Sequence, residues 1–205
     1  MVNVMTDTGH RDSTRPDRRR ARHEATKQEI VDAAWTMVRA DGLNALSLRA
    51  LARSVEMEPQ SLYTYFSSKH ALYDALFADG NRELLARWHE LEPTADPRRT
   101  MVDVARLFVG FCAEDQARYE LLFLRTIPGF EPTPESYAIA VEVMEHARHR
   151  LRAAGVGSDA DFDLWTALVS GLASQQLANC PDGDHFIRLI DDAVDMFLTH
   201  VERSS

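Results

Sequence analysis

Residues 47–72, SLRALARSVEMEPQSLYTYFSSKHAL, hold two helices and the start of a third, divided by a tight turn. Ser47 suits the N-cap of a short helix whose apolar side is Leu48, Leu51, Ala52 and Val55. Glu58-Pro59 opens the next, because proline fits the first helical position, where no N–H is required. Leu62 and Phe66, four apart, pack inward and leave Gln60, Ser61, Tyr63, Thr64 and Tyr65 outside. Ser67 or Ser68 then caps a helix carrying Leu72, Leu76, Leu84, Leu85 and Trp88 to about Glu92, with Gly80 as a tolerated weak point. Upstream, Ile30, Ala33, Ala34, Met37 and Val38 form one apolar stripe, which Asp41-Gly42 ends with glycine at the left-handed position after the helix. Three helices with a four-residue link between the last two have helix-turn-helix spacing.

The outer face of the third helix has the chemistry of a groove reader. Gln pairs with adenine through two hydrogen bonds, Ser and Thr bond to base edges, and Thr offers a methyl to thymine. Tyr hydroxyls reach phosphate oxygens. The formal net charge of −9 argues against a polyanionic partner only as an average. Residues 1–69 carry 11 Lys+Arg against 9 Asp+Glu, whereas residues 70–205 carry 12 against 23. A mildly basic front on an acidic body fits double-stranded DNA at the front.

At these residues the chain resembles the TetR-type transcriptional regulators (TetR/AcrR-like family). The resemblance spans residues 26–77 and rests on Gly42, Leu46-Ser47-Leu48-Arg49, Leu51-Ala52, Leu62-Tyr63-x-Tyr65-Phe66, Ser68-Lys69 and Leu72. It implies an all-α fold of about nine helices and a dimer that binds a palindromic DNA operator and releases it when a small molecule binds the body. DNA contacts are then expected from Thr26, Lys27, Ser47, Arg49, Gln60, Ser61, Tyr63, Thr64, Tyr65 and Lys69. The chain departs from the family at the turn, with Glu56 where glycine is usual and Glu58 where Ser or Thr is usual. If the turn keeps φ > 0, Glu56 costs about 1 kcal/mol. Glu58 complements the dipole of the helix it precedes.

The remainder also reads as helices, near 98–114, around Tyr119 to Phe123, 135–154, 159–179 and 184–202, with a proline-rich loop at 127–135. The domain reading is a disordered basic arm at 1–21, a DNA-binding head at 22–75 and a ligand-binding and dimerisation body at 76–205. Candidate effector contacts are the large apolar or soft groups Met101, Phe108, Phe111, Cys112, Tyr119, Phe123, Tyr137, Met144 and Trp165. Candidate dimer contacts lie on the stripes of the last two helices, Trp165, Val169, Leu172 and Gln176, then Ile190, Val194, Phe197 and Val201.

No cofactor, catalytic group or metal site is expected. His146 and His149 lie three apart but lack a Glu-x-x-His frame, and Cys180, Asp184 and His185 flank a Pro-Asp-Gly turn. The N-terminus has no apolar core of a signal peptide, no apolar run approaches a membrane span, and Cys112 and Cys180 lack C-x-x-C spacing, so a reduced cytoplasmic setting is expected. The alternative reading is a non-catalytic helical protein that binds small molecules and carries a vestigial head.

Overall fold

The structure, a computed structural model, describes residues 14–204, and side chains from 18 to 203. Nine α-helices and two short 3-10 turns make up the described residues, with no strand among them. In chain order they are α1 (Thr14–Asp41), a 3-10 turn (Leu43–Ala45), α2 (Leu48–Ser54), α3 (Pro59–Leu62) and α4 (Lys69–Glu90). There follow α5 (Pro97–Glu114), α6 (Gln116–Phe123), α7 (Pro134–Ala153), α8 (Asp159–Asn179), a 3-10 turn (Ile187–Leu189) and α9 (Ile190–Ser204).

Helix starts follow cap chemistry. The side chains of Ser68, Asp96, Asp115, Thr133 and Ser158 each accept from the backbone N–H three residues on, and Pro59, Pro97 and Pro134 occupy first-turn positions. Gly42 ends α1 at φ 82° and ψ 161°, a positive-φ conformation open to glycine but more extended than the αL cap expected for it.

α1 corrects the reading of residues 1–21 as a disordered arm. Residues 1–13 lie outside the described residues, but 14–21 are already helical. Pro16 falls in the first turn, where a missing N–H is harmless, and the Arg/Ala-rich run that follows has high helix propensity. Residues 18–25 are exposed, so this extension carries no apolar stripe by which sequence periodicity could find it.

Two apolar cores hold the molecule. One, in the head, contains Ile30, Ala34, Val38, Leu51, Leu62, Phe66 and Leu72. The other, in the body, is built from α4, α5, α7, α8 and α9 around Met101, Phe111, Leu151, Trp165 and Phe197. The expected boundary at residue 75 does not separate them. Ala117 and Leu121 of α6 and Ile127 beyond it are buried in the head core, with Phe130 packed against it. The opposite side of α6, Tyr119 and Leu122, belongs to the body core. A helix with two apolar faces serves both units.

α4 and α7 run side by side in the same direction. Asp74 of α4 accepts from Thr133 N (2.7 Å), Thr133 Oγ1 (3.1 Å) and Ser136 Oγ (2.8 Å) at the start of α7. At the other end Arg150 of α7 donates to the Trp88 carbonyl (3.2 Å) and to that of Leu91. Gly80 is more than a tolerated weak point, since a Cβ there would lie 3.1 Å from Leu122 Cδ1 of α6. Its bareness lets α6 approach α4.

Candidate nucleic-acid interface and effector cleft

The turn before α3 is closed by Met57 N–H to the Ala52 carbonyl (2.8 Å) and Glu56 N–H to that of Arg53 (3.3 Å). Glu56 adopts φ 55°, so the turn keeps the left-handed residue that its family-like frame calls for. Leu62 and Phe66, 0% and 2% exposed, seat α3 on the head core. α3 proper is one turn long, and the chain continues winding through Thr64 N–H to the Ser61 carbonyl and Phe66 N–H to that of Leu62. Leu62 and Phe66 therefore remain on the inner side to the end of the segment.

Arg49, Gln60, Ser61, Tyr63 and Thr64 are exposed, with Tyr63 at 48%. Ser47 caps α2 by its extended backbone, yet its hydroxyl makes no capping bond. Thr64 Oγ1 donates to the Ser61 carbonyl at 2.7 Å, which ties the hydroxyl to the backbone of the preceding turn. Tyr65 is half-buried and stacks on His23 of α1, ring centroids 4.6 Å apart at 16°. Sequence reasoning did not single out His23, which precedes the apolar stripe of α1 that begins at Ile30. Thr26 and Lys27 are half-buried on α1, the ammonium of Lys27 5.9 Å from the Phe66 ring. Lys69 Nζ donates to the Asn44 carbonyl at 2.9 Å and sits 5.4 Å from the Tyr73 ring. It tethers the start of α4 to the turn after α1 and retains two N–H donors. Glu58 caps α3 with extended backbone and no side-chain capping bond.

In the body, a cleft of about 420 Å³ lies between α4, α6 and α7, within the usual range for small-molecule sites. Phe77, Asn81, Leu122, Phe123, Tyr137, Met144 and Arg148 line it. Three expected effector contacts meet there, namely Phe123, Tyr137 and Met144, all exposed. Phe108 and Tyr119 stand behind Phe123 at ring distances of 5.4 and 5.9 Å. Met101, Phe111, Cys112 and Trp165 do not reach the cleft. They are 0–3% exposed and fill the body core. Burial pushes the Cys112 thiol up to about 12, against a smaller pull from Arg118. Buried Arg118 stacks its guanidinium 3.7 Å from the Phe111 ring and pairs with Glu83 at 2.5 Å. Asn81, 3% exposed, supplies a polar group at the cleft that sequence periodicity did not single out. A larger hollow of about 790 Å³ between α1, α4 and the start of α7 has a mixed lining, Lys27, Asp74, Asp79 and Arg82 beside Val31, Phe66 and Ala78.

The expected dimer contacts are corrected as well. Trp165, Val169, Ile190, Val194, Phe197 and Val201 are buried within this chain, with Trp165 packed 5.2 Å from Phe197, and Leu172 is half-buried. Their stripes are real, but α5 of the same chain covers them. Buried Gln176 anchors the turn after α8, donating to the carbonyls of Cys180 and Gly183 and accepting from Phe186 N–H. The outward side of these helices instead shows Leu164, Gly171 and Gln175 on α8 and Met196 on α9. His146 is brought to His89 of α4 rather than paired with His149.

Residues 30–76 match the family model described as "Bacterial regulatory proteins, tetR family". The HTH-type transcriptional regulator Rv1816 of Mycobacterium tuberculosis is 28% identical over 188 residues, 87% of this chain and 66% of that protein, so this chain spans just under two thirds of its length. In three dimensions the chain is similar to the putative regulatory protein SCO4313 (TM-score 0.70, 22% identity, 88% of this chain and 98% of that one). It is also similar to the transcriptional regulator FadR from Bacillus subtilis, solved in complex with stearoyl-CoA (TM-score 0.62, 16% identity, 83% and 96%). These likenesses show the fold of such regulators, with a helix-turn-helix head whose third helix faces outward. Over residues 30–76 the chain is similar to regulators of the TetR type. No helix among the described residues is long and apolar enough to cross a membrane.

Proposed function

We propose that the chain is a dimeric repressor that binds a palindromic operator and is released when a mostly apolar small molecule enters the cleft between α4, α6 and α7. The observation that carries this reading is the double duty of α6. Leu122 and Phe123 line the cleft, while Ala117 and Leu121 of the same helix are packed in the head core. A ligand that displaces Phe123 or Leu122 moves α6, and the head follows. Arg39 of α1 reinforces the coupling by pairing at 2.7 Å with Asp115, the N-cap of α6. Preference for one spacing of the heads by a few kcal/mol is enough to empty an operator. That FadR was solved with stearoyl-CoA supports an apolar effector class here. Exposed Leu164, Gly171 and Met196 on α8 and α9 supply the surface for the second copy, and pairing by a two-fold axis matches two half-sites.

In this reading Arg49, Gln60, Ser61 and Thr64 face bases, and Thr26, Lys27, Ser47, Tyr63, Tyr65 and Lys69 face phosphates. A band shift on DNA upstream of the chain's own gene should give a specific complex that weakens steeply with added salt, as counterions released from phosphates are restored. Arg49→Ala should cost about 1–3 kcal/mol of binding and relax preference at one base pair, and Tyr63→Ala should weaken binding to all sequences. Unchanged affinity in both variants overturns these assignments. A chain that binds apolar molecules but shifts no DNA would instead be the ligand-binding protein with a vestigial head.

A further inference from the structure

We propose that His89 of α4 with Glu142 and His146 of α7 forms a binding site for a divalent first-row transition cation of the zinc type, distinct from the apolar cleft. The Nε2 atoms of His89 and His146 face each other at 3.1 Å, and a ligand atom from each of the three residues lies within 4.8 Å of the other two. Two imidazole nitrogens on one tetrahedral zinc, each about 2.0–2.1 Å from the metal, stand roughly 3.3 Å apart. The observed separation is therefore close to that of two ligands on one ion. The tautomer is right as well. His146 Nδ1 lies 3.1 Å from the Glu142 carbonyl and can approach it only as a donor, which leaves the Nε2 lone pair aimed at the site. Glu142 is exposed, so its carboxylate can swing onto the ion, and solvent fills a fourth position. Two histidines and one glutamate, with no thiolate, suit Zn²⁺, Ni²⁺ or Cu²⁺.

The frame around the site is already fixed. Arg150 holds the Trp88 and Leu91 carbonyls beside His89, and Asp74 bolts the other end of α4 to α7. A cation at His89 and His146 would clamp the C-terminal end of the helix whose N-terminal end carries Lys69. It would oppose any separation of α4 from α7.

The test uses the untagged full-length chain, stripped with chelator and titrated with Zn²⁺ by calorimetry, with Co²⁺ as a spectroscopic probe. One ion per chain is expected, with a visible Co²⁺ absorption of tetrahedral intensity and a Zn²⁺-dependent rise in Tm. His89→Ala and His146→Ala should each weaken binding at least tenfold and abolish the rise in Tm. Glu142→Gln should weaken it less, and His149→Ala should leave it unchanged. Circular dichroism of each variant without metal checks that the fold is intact. Absence of binding, or binding that survives His89→Ala, overturns the site. None of these measurements involves DNA, so the outcome is independent of the repressor reading.

Discussion

Glu56 holds a backbone conformation, φ 55°, that a side chain disfavours. Glu56→Gly should raise stability by about 1 kcal/mol, read as a rise in Tm of about 2–4 °C for a chain of this size. A fall in Tm would mean that the Glu56 side chain makes a compensating interaction. The two cysteines give a second contrast. Cys112 lies in the body core with its thiol pushed up to about 12 by burial, whereas Cys180 is half-buried in a turn. A thiolate-selective reagent applied to native protein should label Cys180 and spare Cys112, since the thiolate is the reactive form. Denaturation should make both react. Both residues were visible in the sequence, but their environments were not: periodicity shows that Cys112 is on an apolar face, and only the packing shows that this face never opens.

Helices differ in how plainly their sequences announce them. α2 and α3 were legible because each apolar residue there, Leu51, Ala52, Leu62 and Phe66, packs on the head core at the spacing that periodicity requires. The first turns of α1 were not, because propensity alone sustains them and no face is buried. The stripes of α8 and α9 were found, but a stripe does not say whether its cover comes from the same chain or another, and here α5 supplies it. The α4–α7 pair depends on a contact across 59 to 62 positions of sequence that no local pattern encodes. Asp74 satisfies two hydroxyls and one N–H at the start of α7. Asp74→Ala should cost about 1–2 kcal/mol, allowing for partial exposure, and should speed hydrogen exchange in the first turns of α7 while sparing α8.

Across the whole molecule, ion pairs set the response to acid. Glu114 is held below the usual carboxylate range chiefly by its hydrogen bond from Arg87, and Asp195 chiefly by that from Arg98. Groups lowered on folding contribute stability above their unfolded pKa of about 4 and lose it as pH falls through the folded value. Urea midpoints should therefore drop on acidification below about pH 4, and Arg87→Met should flatten that dependence. The shared helix α6 has a consequence for modularity. Ala117, Leu121 and Ile127 complete a core whose other members end near residue 76. A chimaera cut at that point would give the transplanted head an empty apolar slot where α6 should sit, and a foreign body would have to fill it with the right volumes. Recombination within such regulators is thus expected to succeed when α6 and the loop after it travel with the head, although residues 77–115 separate them in sequence.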